Sequence, residues 1–295
     1  MAKYILSLLV SITFLYSCQK NELDVMPPNP TPPTSIAAST QSNVPYGTDT
    51  RQKMDVYLPA NRTTTTTKVM IVIHGGAWQI GDKADMSSYV DTLKNRLPTY
   101  AFFNMNYRLY NGSTNFFPSQ EQDVKACVEF IFNNRATYLI SDKIVLLGAS
   151  AGAHLALLQA YKNASPQIKA VVSLYAPSDM ADMYNNPASI FAPADSIAKI
   201  VTGSIGGTPA TQPTKYFISS PINYVTPSAP PTILFHGGAD LVVRASQSAT
   251  LNTKLAANNV TRQYVLYPAE GHAYLGPSLN DTFNKTIAFL NLYVL

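Results

Sequence analysis

The chain has 295 residues, 46% of them hydrophobic and 13% charged, with a net charge of +4. That balance describes a globular protein with a sizeable core, and the folded part, about 250 residues, fits one α/β domain. There is no block of Lys and Arg, so nucleic acid is not an expected partner.

Residues 1–17 read as a targeting segment. Lys3 is its positive end, and Tyr4 to Tyr16 is a mostly apolar stretch too short to span a bilayer as a helix. It ends in Leu15-Tyr16-Ser17-Cys18, with a small residue just before the cysteine. That ending resembles the lipobox of bacterial lipoproteins. The resemblance implies cleavage ahead of Cys18 and lipid on its thiol and new amino group. An ordinary secretory signal is the alternative. Either reading exports the protein: as a membrane-anchored lipoprotein of a bacterial cell envelope, or as a secreted or periplasmic one.

Residues 18–43 are expected to be a disordered tether. Pro27, Pro28, Pro30, Pro32 and Pro33 lie among Asn, Ser and Thr, and such a stretch buries too little apolar surface to fold. The folded domain is then 44–295. Its one cysteine, Cys127, sits in a helical stretch and reads as core packing, without a disulfide partner.

Met54 to Pro59 reads as an early edge strand, and Thr63 to Thr67 as a polar turn. Val69 to Ile73 is a buried strand that runs into His74-Gly75-Gly76-Ala77-Trp78. This HGGAW stretch resembles the HGGG-type oxyanion loop of esterases and lipases. Glycine suits such a loop because backbone N–H groups must point at a developing oxyanion without obstruction. Ala77 stands where the third glycine would be and keeps its N–H. His74 reads as a structural histidine that holds the loop.

Tyr100 to Met105 is the next strand. Phe117 to Asn133 reads as an amphipathic helix, with Val124, Cys127, Val128 and Ile131 on one face. The apolar run Ile144 to Leu147 is a buried strand, and the good helix formers after Gly152 begin a helix. Between them lies Gly148-Ala149-Ser150-Ala151-Gly152. This is G-x-S-x-G in the strand–turn–helix setting that gives the motif its meaning, with the serine hydroxyl raised above the sheet.

Ile168 to Tyr175 is a further strand. Residues 176–230 break the alternation, being rich in Pro, Ser, Thr, Asn and Gly, with scattered aromatics at Tyr184, Phe191, Tyr216, Phe217 and Tyr224. They are expected to form a small cap or pocket wall. Pro231 to Phe235 is a strand that ends at His236-Gly237-Gly238-Ala239-Asp240, and Ala245 to Asn258 is a helix. Gln263 to Tyr267, the last core strand, leads to Glu270-Gly271-His272. His236 reads as the structural start of a glycine turn, and His154 as a packing histidine. Asp240 and Asp179 both follow strands and could serve a histidine; position near a strand end between serine and base favours Asp240.

Taken together, DVYLP, HGGAW, FPSQEQDVKACV, GASAGAHLA, ISSPINYV, HGGAD and EGH make the chain similar to bacterial α/β-hydrolases of the carboxylesterase type, near the hormone-sensitive-lipase-like and feruloyl-esterase-like groups, over about residues 54–295. The resemblance implies the α/β-hydrolase fold: a mostly parallel central sheet flanked by helices, with a small insertion. It implies a serine ester hydrolase with Ser150 as nucleophile, His272 as base and Asp240 as acid. The oxyanion hole would be drawn from Gly75, Gly76, Ala77 and Ala151. Neither metal nor cofactor is expected. The expected substrates are small esters or esterified oligosaccharides, with short-acyl or feruloyl-type acids. Two other classes stay open: a prolyl-oligopeptidase-like serine peptidase, and a non-catalytic binding lipoprotein with a hydrolase shell.

Overall fold

A computed structural model describes residues 35–188 and 195–295. The targeting segment, Cys18 and the proline run of the tether lie outside the described residues, as does Phe191. The strands are β1 (Ser39–Pro45), β2 (Lys53–Leu58), β3 (Lys68–Ile73), β4 (Tyr100–Met105), β5 (Ile144–Ala149), β6 (Ile168–Leu174), β7 (Thr232–Gly237) and β8 (Arg262–Tyr267). They form one sheet in the order β1-β2-β4-β3-β5-β6-β7-β8. The β1–β2 and β2–β4 pairs are antiparallel; every later pair is parallel.

The described helices are α1 (Ser87–Arg96), α2 (Ser119–Asn133), α3 (Arg135–Tyr138), α4 (Ala151–Tyr161), α5 (Met180–Asn185), α6 (Asp195–Ile205), α7 (Pro213–Ile218), α8 (Ser246–Ala257) and α9 (Gly276–Tyr293). Side chains alternate across a strand, so the central strands feed two cores. Ile71, Ile73 and Leu146 point into one, with α2, α4 and α8 above them. Met70, Val72 and Leu147 point into the other, covered by α1 and α9. Every residue of β5 is buried, as a strand covered on both faces requires.

Several expectations need correction. The ordered sheet starts inside the stretch expected to be tether, because Ser39–Pro45 forms β1. β1 carries no apolar pattern and is largely exposed; backbone pairing with β2 holds it, and composition does not reveal that. The strand expected at the edge, β2, is therefore internal, with Met54, Val56 and Leu58 buried. β8 is the opposite edge and is only partly buried. Helices α1 and α9 had no counterpart in the sequence reading. Among the described residues, the insertion carries helices α5, α6 and α7 and a short 3-10 turn at Pro221–Tyr224. Tyr216 is buried in the core and Tyr184 packs edge-on against it, so these two rings are packing residues rather than a free stacking surface. Cys127 is buried, as expected, with its thiol pushed up by burial.

One buried ion pair fixes the segment beside the glycine loop after β3. The Asp123 carboxylate on α2 has no solvent exposure, and it accepts from Arg108 Nε at 2.9 Å and Nη2 at 2.7 Å. The Arg108 backbone N–H and the Gln52 amide complete its shell, each at 2.7 Å. Removing the guanidinium strands a buried carboxylate. Arg108→Ala should therefore lose about 3 kcal/mol of stability, read from the urea midpoint at constant slope. Destabilisation below about 1 kcal/mol would show that water or Gln52 compensates.

Candidate active site

The site is built at the carboxyl ends of the parallel strands. β5 stops at Ser150, whose backbone has φ 53° and ψ −120°. That conformation is strained for any side chain and persists only where neighbours hold it. Ser150 N–H donates to Leu174 O at 2.8 Å, and α4 begins at the next residue. Both flanking glycines are required by close approach. A Cβ on Gly152 would lie 2.2 Å from Ile73 O, and one on Gly148 would lie 2.3 Å from Gly152 O.

His272 leaves the end of β8. Its Nε2 is 3.0 Å from Ser150 Oγ, and its Nδ1 is 2.6 Å from Asp240 Oδ2. With Nδ1–H donated to the carboxylate, the Nε2 lone pair is free to take the serine proton. Asp240 Oδ1 accepts from the N–H groups of Val242 and Val243 at 2.8 and 2.9 Å. Burial alone would raise the Asp240 carboxyl. Hydrogen bonds from His236 and His272 outweigh it and hold the group well below the usual carboxylate range. The loops that carry Asp240 and His272 are locked together: Ala239 N–H donates to Glu270 O at 2.9 Å, and a Cβ on Gly237 would lie 2.3 Å from Gly271 O.

The rival acid goes elsewhere. Asp179 caps α5, accepting from Asp182 N–H at 3.0 Å, while Gln247 binds its backbone. His236 belongs to β7 itself rather than to a turn. It is buried, with Nδ1 2.7 Å from Ser248 Oγ and Nε2 2.9 Å from Val243 O and 3.2 Å from Asp240 Oδ2. It is a structural histidine, as expected, but it also supports the Asp240 carboxylate. Tyr175 was not foreseen at all. It follows β6 with φ 44° and sets its ring edge-on to His272 at 4.6 Å. Its place just past a strand end was the available signal; the run around it reads simply as strand.

The glycine loop after β3 lies against the elbow. A Cβ on Gly75 would be 3.3 Å from Ser150 Cβ. Gly76 (φ 106°), Ala77 (φ 52°) and Trp78 (φ 62°) all have left-handed backbone. Gly76 O closes the turn by accepting from Gln79 and Ile80 N–H, both at 3.0 Å. No protein acceptor takes the N–H of Gly76 or Ala77 among the described residues. Ala151, at the first position of α4, has no acceptor within its own helix. His74 stacks on Tyr107 at 4.3 Å, its Nδ1 is 2.6 Å from Gly75 O, and burial pulls its imidazole down to about 4. The Tyr107 hydroxyl donates to His74 O and Gly75 O, both at 3.1 Å. His74 therefore braces the loop.

A BD-FAE family profile matches residues 54–255, more than half of the chain. The chain belongs to the BD-FAE family. Among solved structures, a truncated form of carbohydrate esterase from gut microbiota superposes with TM-score 0.72 and 25% identity, covering 87% of this chain and 96% of that one. A bifunctional GH43-CE protein of Bacteroides eggerthii gives TM-score 0.71 and 28% identity over 86% of this chain and 38% of its own. Esterase LipC of Mycobacterium tuberculosis is 27% identical over 83% of this chain. The BD-FAE chain spans 63% of the length of LipC. These likenesses agree with the α/β-hydrolase architecture of the sheet.

Proposed function

We propose that this BD-FAE protein is a serine carboxylic-ester hydrolase, and that Ser150, His272 and Asp240 are its catalytic triad. The observation that carries the reading is the unbroken relay from Ser150 Oγ through His272 to Asp240, at 3.0 and 2.6 Å. His272 takes the serine proton as Ser150 Oγ attacks the ester carbonyl, then protonates the leaving alkoxide. Asp240 holds the required tautomer and steadies the imidazolium. The oxyanion is met by N–H groups of Ala151 and of Gly76 or Ala77, beside Gly75. Each such donor is worth about 3 kcal/mol in the transition state. Water then releases the acid from the acyl-enzyme by the same steps in reverse order.

A panel of p-nitrophenyl esters and aminoacyl-p-nitroanilides tests this directly. Ester cleavage with inert anilides is expected. Preference for anilides would make the chain a peptidase, and silence toward both would leave a binding protein with a hydrolase shell.

The substrate reading rests on the BD-FAE family and on likeness to a carbohydrate esterase. A short acyl chain or small feruloyl-type acid on a carbohydrate is the expected ester. Acetyl and butyryl esters should be cleaved with kcat/KM at least about tenfold above decanoyl, or about 1.4 kcal/mol of discrimination. A preference for long chains would point to a lipase instead.

Cys18 is the proposed lipid anchor, on the strength of Leu15-Tyr16-Ser17-Cys18. Expressed in a bacterial host, the Cys18→Ser protein should take up no labelled palmitate. Equal labelling of mutant and wild type would remove the anchor and leave a plain export signal.

A further inference from the structure

The oxyanion loop is tied down at two consecutive residues just past Ala77. Trp78 Nε1–H donates to His154 Nδ1 at 3.2 Å, with the two rings edge-on at 5.1 Å. His154 Nε2–H in turn donates to Ser219 O, at the end of α7, at 2.6 Å. Gln79 Nε2 donates to Ile200 O and Ser204 Oγ on α6, at 3.2 and 3.3 Å. His154 lies in the first turn of α4, and its own N–H bonds Ser150 O at 3.0 Å. One buried imidazole thus touches the nucleophile's helix, the oxyanion loop and the insertion.

We propose that His154 is a positioning residue for the oxyanion hole, holding Trp78 so that the strained Ala77–Trp78 backbone keeps its left-handed form, with the insertion as the far anchor.

The physical argument is one of over-determination. Two adjacent non-glycine residues at φ 52° and 62° are disfavoured unless their side chains are fixed from outside. The Trp78 side chain has one polar atom, and its acceptor is a ring nitrogen kept unprotonated. Burial lowers the His154 imidazole to about 4, so at neutral pH it is uncharged, and with Nε2–H committed to Ser219 only Nδ1 can accept. The insertion therefore does more than wall a pocket: through His154 and Gln79 it sets the loop whose N–H groups face the reacting oxygen.

This proposal rests on the serine-hydrolase reading, but it has a readout of its own. Trp78 is the chain's single tryptophan, so its emission reports the loop whether or not an ester is cleaved. His154→Leu removes both hydrogen bonds. His154→Asn keeps an acceptor where Nδ1 was. In His154→Leu the emission of Trp78 should move to longer wavelength, and kcat on p-nitrophenyl acetate should fall about tenfold or more with KM within about twofold, because oxyanion contacts strengthen only in the transition state. His154→Asn should keep wild-type emission and recover kcat to within about threefold. Should the Leu protein not fold, Trp78→Phe, which removes the donor and keeps a ring, should show the same kcat loss at unchanged KM. Unshifted emission with wild-type kcat in His154→Leu overturns the proposal. So does an equal kcat loss in the Leu and Asn proteins, or a wild-type kcat in Trp78→Phe. If the wild type cleaves no ester while emission follows the expected order, the hydrolase reading fails and the loop anchor stands.

Discussion

Ser150→Ala should fold like the wild type and lose about four to six orders of magnitude in kcat on an ester substrate. The size follows from position. Ser150 Oγ is the atom bonded to His272 Nε2, and no other hydroxyl bonds that nitrogen among the described residues. Folding should be spared because the strain belongs to the backbone: alanine meets the same φ of 53°, and Gly148 and Gly152 keep the close approaches that shape the turn. The serine side chain makes no cap bond to α4, so no helix contact is lost. Thermal unfolding within about two degrees of wild type, with activity at background, is the expected pair of results. Near-normal turnover in a folded Ser150→Ala protein would sink the assignment of the nucleophile.

Asp240→Asn should cost about four orders of magnitude, against a few-fold at most for Asp179→Asn. An amide at 240 presents N–H as well as C=O. It can accept nothing from His272 Nδ1–H when its N–H faces the ring, and the imidazole is then driven to the tautomer that cannot take the serine proton. Asn also offers a weaker acceptor to Val242 and Val243 N–H, which loosens the loop that carries it. At 179 the carboxylate is a helix cap, and asparagine caps nearly as well as aspartate. Kinetics of the two proteins side by side decide the matter. Equal losses, or a larger loss at 179, would mean that His272 draws on a different acid.

The serine elbow and the place of His272 beside it were legible because short spacings carry them. G-x-S-x-G needs only a strand before and a helix after, and both are encoded in adjacent residues. Asp240 was legible through its place past a strand end, and the structure turns that preference into a 2.6 Å hydrogen bond. What the chain did not disclose is long-range. β1 is polar and exposed, so nothing in its own residues signals that β2 will recruit it. α1 hides three buried positions, Tyr89, Val90 and Leu93, among polar neighbours. The insertion's turn-forming composition concealed helices whose purpose lies in contacts with Gln79 and His154, the former over a hundred positions earlier. Tyr175 reads in sequence as one more strand residue, although its ring lies edge-on to His272.

The position of β8 has a consequence for how the protein fails. His272 hangs from the outermost parallel strand, which among the described residues has a neighbour on one side only and side chains that are mostly half-covered. Ser150, by contrast, stands on the fully enclosed β5. Edge elements open at lower free energy than the enclosed middle of a sheet. Under mild heat or denaturant the Ser150–His272–Asp240 relay should therefore come apart at His272 first, while Ser150 is still cradled and the bulk of the secondary structure is intact. With the proposed triad, turnover becomes the early-warning property of this molecule, its disappearance marking fraying at one margin well before collapse of the whole.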